Sequence, residues 1–409
     1  MTSPFRHFCI VLALLAAPFV PKPASAAPGE GDLRSAIAAQ RSLPRAARLP
    51  RTAFLENRAL VGVQLAPAGD AVAYLREQKD SRALWLLPVD GVKPRMLVGS
   101  TQADQLLWSR DGRWLFLRAS RVLTIVGIDG RTGVRVPLGG TERRRLMKVD
   151  PSQPAAVLLG ERVRVGASER WRVVRMDARG KRTLLREDAR WIHDVALDAR
   201  GRIVALARFE GDHDALYRVR ADGTLRDVLR LQAMERLDLL AAPADGSLLM
   251  SGNPGSAAAG GDFRRVMRLD ANDRLQTLHQ DPRGEADLDD VVVDPRTQQP
   301  LAASYRSTVA ATYGIGGAQG VVADIATRFP GRDIGLQAGS GPSARWLVSE
   351  RAATLRDPRW WLYDPRNREL RRILDDPGIT AGTPDETALA RKVAIDYVAS
   401  DGRRVHGFV

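Results

Sequence analysis

The sequence predicts an all-β protein, a seven-bladed β-propeller of four-stranded antiparallel blades that spans residues 57–375. Two observations indicate this fold. A pair of apolar strands joined by a tight polar turn recurs along the chain, and a third strand that ends at Asp and a turn follows each copy. With a short closing strand, the unit repeats every 40 to 50 residues or so, roughly the period of blades that bury their faces against one another.

The strand–turn–strand pattern is clearest at 63–75 and 106–117, where the turns contain Gly69-Asp70 and Asp111-Gly112. Further copies centre on Arg200-Gly201 and Asp245-Gly246, and weaker ones on Ser152-Gln153-Pro154, Thr297-Gln298-Gln299 and Gly341-Pro342. A pair of β-sandwiches would also produce short strands, but the equal spacing over the whole region favours the propeller.

The third strands end at Asp, often followed by Gly, which suits a turn because Gly accepts positive φ and Asp bonds its own backbone. They lie at 84–91, 123–130, 171–177, 216–223, 266–270 and 360–364. The sixth blade, 288–332, is the least regular. Its third strand is hard to place, and we interpret Gly314–Gly320 as a loop.

Residues 1–26 have the pattern of a signal peptide. A polar start at Arg6 and His7 precedes the apolar run Phe8–Val20, and Ala24-Ser25-Ala26 forms a small-residue cleavage site. We therefore expect a mature chain that begins at Ala27 and is periplasmic or secreted. A membrane anchor is the alternative, but the apolar run is too short to cross a bilayer.

Two further segments flank the predicted blades. Residues 27–56 form an N-terminal extension with one short helix at Asp32–Gln40. Residues 376–409 combine a linker helix that opens at Pro384 with a hairpin of strands 393–398 and 405–409. We interpret this hairpin as the opening of a truncated further domain, although it could instead pack on the underside of the propeller.

Composition excludes several classes of function. Cys9 is the only cysteine and lies in the signal peptide, so disulfides, thiol catalysis and zinc–thiolate sites are excluded in the mature chain. The net charge is +14, but the arginines are scattered and the densest cluster is Arg143–Arg145. Nucleic-acid binders concentrate their charge on one face, so we expect no nucleic-acid partner. After signal cleavage we expect no membrane span.

The sequence resembles the prolyl oligopeptidase family, in particular its acylaminoacyl- and dipeptidyl-peptidase-like members, over residues 49–409. The segments that carry the resemblance are the turns at 66–70 and 108–112, the last blade at 329–364 with Asp357-Pro358-Arg359-Trp360-Trp361, and the closing hairpin at 397–409. Gly341-Pro342-Ser343 departs from the family's usual Asp-Gly turn in the last blade. The resemblance implies that 397–409 opens an α/β-hydrolase domain whose catalytic serine, aspartate and histidine lie C-terminal to Val409.

A search for catalytic chemistry within the chain finds none, and we assign no catalytic, cofactor-binding or metal-binding residue. Ser168 and Ser343 have Gly two residues before them but Arg two residues after, so no serine stands in a Gly-x-Ser-x-Gly elbow. The histidines of the mature chain are each expected to be structural: His193, His213, His279 and His406. Whether this chain has enzymatic activity of its own therefore stays open.

Two other motifs are weaker candidates for ligand binding. The segment Glu210–Asp214 could hold a metal through its carboxylates, but we interpret it as a solvated connection between strands. Gly314-Ile315-Gly316-Gly317 lacks the Lys-Ser/Thr of a phosphate-binding loop, and we expect no cofactor.

The resemblance implies a propeller that covers the active site of an exported serine peptidase and admits short peptides. Without its catalytic domain the chain would be inactive. The alternative is a stand-alone periplasmic propeller that serves as a binding or scaffold module, because one fold hosts many functions.

Overall fold

The computed structural model describes residues 30–42 and most of 59–408. The gaps in the second range are 92, 131, 140–142, 256–262, 341–343, 353, 376–385, 387–388, 390–392 and 403, and residues 49 and 51 are also described. The signal-peptide prediction and most of the predicted linker helix lie outside the described residues. Within them the chain forms seven successive antiparallel sheets, which confirms the seven-bladed propeller.

Each blade is built from consecutive strands in chain order. Blade 1 contains β1 (Leu60–Leu65), β2 (Ala71–Glu77), β3 (Arg82–Pro88) and β4 (Arg95–Thr101); blade 2 contains β5 (Gln105–Trp108), β6 (Trp114–Ala119), β7 (Val122–Gly127) and β8 (Thr132–Pro137); blade 3 contains β9 (Arg143–Val149), β10 (Ala156–Val165), β11 (Ser168–Asp177) and β12 (Arg182–Asp188); blade 4 contains β13 (Ile192–Leu197), β14 (Ile203–Phe209), β15 (Asp214–Val219) and β16 (Leu225–Arg230).

The remaining strands complete the ring and the hairpin. Blade 5 contains β17 (Leu237–Ala241), β18 (Leu248–Gly252), β19 (Arg265–Leu269) and β20 (Leu275–His279); blade 6 contains β21 (Asp287–Val293), β22 (Pro300–Arg306) and β23 (Ala310–Gly314); blade 7 contains β24 (Asp333–Ala338), β25 (Trp346–Arg351), β26 (Arg359–Asp364) and β27 (Glu369–Ile373); the hairpin contains β28 (Ala394–Val398) and β29 (Arg404–Phe408).

Blade 6 departs from the four-stranded pattern, having three strands followed by a helix. The interpretation of Gly314–Gly320 as a loop is wrong, because a 3₁₀ turn at Gly316–Ala318 leads directly into helix α2, Gln319–Thr327. The helix buries Val322 and Ile325, which pack in one apolar cluster with Phe329 and with residues of blade 7. Burying this apolar face stabilises a helix too short to be stable alone.

The core is divided among the blade interfaces. The buried apolar residues fall into seven clusters, and each cluster joins two neighbouring blades, including blades 7 and 1. Leu115 and Leu84, for example, are fully buried in the cluster between blades 1 and 2. Each blade thus depends on both neighbours for burial, as expected for stacked repeats.

The first strands of the blades lie next to one another around the central channel. Contacts join β1 to β5, β13 to β17 and β21 to β24, and β1 also contacts β24, which closes the ring. Lys148 shows how polar side chains join these strands: its Nζ donates to Leu239 O at 2.7 Å and pairs with Asp194 at 2.6 Å. The Asp194 carboxylate in turn accepts a hydrogen bond from the Leu239 amide at 2.8 Å.

No strand is shared between blades 1 and 7 in the described structure, so side chains and turns close the ring. Gln337 of β24 accepts the Leu65 amide at 2.8 Å and donates to Val63 O at 3.0 Å. The turn that follows β24 packs against the turn after β1, where Gly339 lies directly against Gly69.

The ends of the chain partly confirm the sequence predictions. Helix α1 runs from Glu30 to Ser42 and includes the predicted Asp32–Gln40. Strands β28 and β29 form the predicted hairpin and, among the described residues, pair only with each other. In the part of the chain described, no helix is both long and apolar enough to span a membrane.

Candidate functional site: the loop-face mouth of the central channel

Because the strands of each blade alternate in direction, the propeller has two different faces. The turn face carries the tight turns between first and second strands, such as 109–113 and 198–202. The loop face carries the connections between second and third strands and those that lead to the next blade, such as 189–191 and 280–286.

The segment C-terminal to the blades lies on the loop face. The carboxylate of Glu386 pairs with Arg332, lies 3.1 Å from Arg359 Nη2 and accepts a hydrogen bond from Thr354 Oγ1 at 2.7 Å. In the hairpin, Arg404 Nη1 lies 2.8 Å from Glu285 Oε1, in the connection between blades 5 and 6. Two separate ion-pair contacts therefore attach residues 386–404 to blades 5–7.

Acid should release this attachment. The hydrogen bonds from Arg332 and Thr354 lower the pKa of Glu386 to about 2. The ionised Glu386 carboxylate therefore stabilises the attachment fully when the pH is above 4.5, its ordinary pKa. This stabilisation is lost as the pH falls from 4.5 through about 2. We expect the anisotropy of a dye on Val398→Cys, in a variant that starts at Ala27 and so contains no other cysteine, to fall over this range. Glu386→Gln should show low anisotropy already at pH 6; an acid transition equal to that of the parent would contradict the assignment.

An aromatic and cationic cluster lies where blades 3 and 4 meet at the loop-face mouth of the channel. The Trp171 and Trp191 ring centroids are 6.0 Å apart, and the Arg145 guanidinium carbon lies 5.8 Å from the Trp191 ring. Arg145 is on the first strand of blade 3, and Trp191 immediately precedes the first strand of blade 4. Arg145 and Trp191 therefore lie at the inner strands of the two blades, and Trp171 lies farther out, on the third strand of blade 3.

Arg145 is held by main-chain groups. Its Nη2 donates to the carbonyl oxygens of Ile192 and His193. Gly160 on the neighbouring strand gives it room, since a Cβ there would lie 3.2 Å from Arg145 Nε. The side chain is solvent-accessible yet crowded by protein, and this burial lowers its pKa.

His193 packs edge-on against Trp191, with centroids 5.9 Å apart, and its Nε2 lies 3.2 Å from Asp214 Oδ1. Burial lowers the pKa of His193 below 6.5 despite the nearby carboxylates, so the ring is neutral at pH 7. No described serine forms a hydrogen bond to this ring.

The wall of blade 6 carries the opposite charge. Asp290 lies on β21, and its Oδ1 accepts a hydrogen bond from the adjacent Val291 amide at 2.9 Å. Burial raises the pKa of this carboxyl group. The loop face thus has a cationic and aromatic cluster where blades 3 and 4 meet, and β21 of blade 6 carries a carboxyl group midway along its length.

The other three histidines lie on different elements of the structure. His213 lies in the turn before β15 with its Nδ1 2.5 Å from Asp212 Oδ1. His279 ends β20 and its Nδ1 lies 2.9 Å from Tyr305 Oη, and His406 pairs with Asp396 inside the hairpin at 2.7 Å. Each is on a different element, and the described structure brings none of them into a serine–histidine–aspartate arrangement.

The remaining candidates also have structural surroundings. Ser168 begins β11, and Ser343 lies outside the described residues. Within Glu210–Asp214, the Glu210 carboxylate accepts hydrogen bonds from Arg208 Nε at 2.6 Å and from Tyr217 Oη at 2.7 Å. Among the described residues, no group of three or more His, Cys, Asp or Glu side chains is placed to hold a metal.

Sequence reasoning missed the Arg145–Trp191 cluster. Arg143–Arg145 stood out only as the densest basic run, and its members have different roles. Arg144 Nε pairs with the buried Glu161 at 2.9 Å, whereas Arg145 turns toward blade 4, where it contacts Trp191 and the carbonyl oxygens of Ile192 and His193. The alternation of a strand could have suggested this split, because successive side chains point to opposite faces.

No family model matches the sequence, and no curated protein matches it. Solved structures of similar fold include a prolyl endopeptidase, with 17% identity, a TM-score of 0.54 and coverage of 92% of this chain and 56% of that chain. A puromycin-hydrolyzing peptidase of Mycobacterium tuberculosis has 16% identity, a TM-score of 0.55 and coverage of 90% and 61%. Prolyl oligopeptidase B of Galerina marginata has 11% identity, a TM-score of 0.53 and coverage of 87% and 56%.

These similarities show the fold. The chain is a seven-bladed propeller like the propeller portion of prolyl oligopeptidase-type peptidases, and it spans less than two thirds of the length of each of the three structures.

Proposed function

We propose that this chain is the substrate-gating propeller of an exported serine peptidase of the prolyl oligopeptidase type. In this proposal an α/β-hydrolase domain C-terminal to Val409 carries the catalytic serine, aspartate and histidine. The observation that carries the proposal is the match of about nine tenths of this chain to little more than half of a prolyl endopeptidase.

The location of the C-terminal segment supports the same proposal. Glu386 and Arg404 attach this segment to the loop face, on blades 5–7. A domain continuing from the hairpin would start beside the loop-face mouth of the channel. Tyr397 and Val398 are 57% and 66% exposed, so the hairpin offers apolar surface for such a domain to cover.

Exposed side chains on the loop face provide further contact surface. Val165, Met234 and Phe263 are all at least 40% exposed and lie in its connections or at the adjoining end of a strand, across blades 3–5. A hydrolase domain resting there would enclose a cavity above the channel mouth. Short peptides would enter it, and folded proteins would be excluded by size.

The purified mature chain alone should hydrolyse no peptide, because the described structure assembles no catalytic triad. Chromogenic acyl-aminoacyl and dipeptidyl substrates, with an active peptidase of this type as positive control, measure this directly. Hydrolysis blocked by a serine-directed phosphonate that labels a serine of this chain would contradict the assignment of catalysis to another domain.

Export predicts a defined N-terminus. Cleavage after Ala24-Ser25-Ala26 should leave Ala27 as the first residue, which N-terminal sequencing of the periplasmic or secreted fraction determines. Ala26→Arg should block cleavage. Isolation of a mature chain that retains Phe8–Val20 would instead support a membrane anchor.

A further inference from the structure

An exposed aromatic surface lies at the loop-face mouth of the channel. We call Trp171, Trp191 and Phe209 the aromatic shelf. Trp191 is 40% exposed and Phe209 is 38% exposed, and the Phe209 amide donates to Trp191 O at 3.0 Å. Large aromatic side chains are normally buried, so an exposed group of them marks a surface that binds an apolar group.

Arg145 lies against this shelf with much of its hydrogen-bonding capacity free. Among the described residues it forms no ion pair with a carboxylate, and its Nε and Nη1 make no hydrogen bond. The nearby Asp194 is already paired with Lys148 at 2.6 Å and accepts two backbone amides. A guanidinium in this state favours an anionic ligand such as a carboxylate, which would accept a charge-assisted hydrogen bond from Nε or Nη1.

We propose that the aromatic shelf and Arg145 bind the C-terminal residue of a short peptide, one with an apolar or aromatic side chain and a free carboxylate. The side chain lies on Trp191 and Phe209, and the carboxylate pairs with Arg145. His193 is neutral and adds no competing cation. The identity of the ligand as a peptide rests on the proposed function.

This assignment deepens the gating function. The site lies on the loop face where blades 3 and 4 meet, away from the contacts of Glu386 and Arg404 on blades 5–7. A peptide held there would have its C-terminus on the propeller and its remaining residues toward the space above the loop face. Peptides that end in an apolar residue would therefore be retained preferentially over those that end in a charged one.

The test uses the mature chain and two probes, N-acetyl-Ala-Phe with a free carboxylate and its C-terminal amide, with binding measured by calorimetry or saturation-transfer NMR. The acid should bind about tenfold more tightly than the amide. Arg145→Gln should remove this difference, and Arg145→Lys, which keeps the charge but not the planar fork, should give an intermediate affinity. Trp191→Leu should weaken both probes about tenfold.

Two matched controls should leave both affinities unchanged. Arg200→Gln removes an exposed arginine on the turn face, and Leu184→Ala removes a 53% exposed apolar side chain on the outer strand of blade 3. Melting curves of every variant establish that it is folded. If Arg145→Gln fails to fold, the comparison of acid with amide on the parent chain still decides whether the carboxylate is recognised.

Equal affinity for acid and amide, or unchanged affinity in both shelf variants, would overturn the proposal. So would the absence of binding at peptide concentrations on the order of 10 mM, which would indicate that protein surface covers the shelf. This result is separable from the proposed function. Failure to bind peptide would leave the catalytic assignment intact, because serine labelling tests that assignment, and peptide binding by itself does not establish a catalytic domain.

Discussion

Replacing Asp150 by alanine is expected to destabilise the propeller more than any other single change considered. Asp150 immediately follows the first strand of blade 3 and is fully buried. Its carboxylate lies 2.5 Å from Arg175 Nε and accepts the Ser152 amide at 2.8 Å. Arg175 Nη2 also donates a hydrogen bond to Gly201 O of blade 4 at 2.9 Å. The Asp150 carboxylate therefore orients a side chain that links blades 3 and 4.

Loss of one partner from a buried ion pair leaves the other uncompensated, and the expected cost is about 3–5 kcal/mol of unfolding free energy. Asp198→Ala is the matched control, because Asp198 caps the corresponding turn of blade 4 and pairs with Arg202, which is 65% exposed. Its cost should be about 1 kcal/mol or less. Urea unfolding of both variants measures the difference; equal effects would show that the Asp150–Arg175 pair does not join the blades.

Gly339→Ala is expected to disrupt the interface between blades 7 and 1. An added Cβ would lie 2.8 Å from Gly69 Cα and 2.9 Å from Gly69 N, which are backbone atoms that no side-chain rotation can move. Overpacking of this kind costs about 1–3 kcal/mol. Displacement of the two turns should also break the hydrogen bond that the Ser340 amide donates to Pro67 O at 2.7 Å.

Amide hydrogen exchange measures this local effect. In Gly339→Ala, the protection of Leu65 and Ser340 should decrease, because the amide of each makes its hydrogen bond across the same interface. Gly317→Ala is the control, since an added Cβ at Gly317 meets no atom within 4 Å. Unchanged protection at both amides would mean that the turns do not hold the ring closed.

The blades were predictable because their signals are local. Strand alternation and the Asp-Gly turns define each unit, and the predicted turn at Arg200-Gly201 lies between β13 and β14 as expected. Helix α2 was missed because its sequence is short, contains Gly320 and follows a Gly-rich run. Its helical state depends on Val322 and Ile325 packing in one cluster with residues of blade 7, which sequence periodicity does not reveal.

The channel mouth was less predictable than the blades. Arg145 and Trp191 belong to different blades, and only the closing of the ring brings them to 5.8 Å. The same holds for Arg404 and Glu285, which no sequence pattern connects. Histidines and elbow serines are signals of catalysis, and Arg145 and Trp191 belong to no such pattern.

The central claim, that this propeller gates a serine peptidase, is tested most directly by fluorophosphonate labelling of the native protein that carries it. The protein is isolated from its own cells through the propeller, labelled, and digested to locate the modified residue. The proposal predicts one labelled serine outside residues 27–409, in the same polypeptide, and cleavage of short peptides but not of casein. Absence of any labelled serine in a native protein that ends with this propeller would contradict the account and favour a stand-alone binding module.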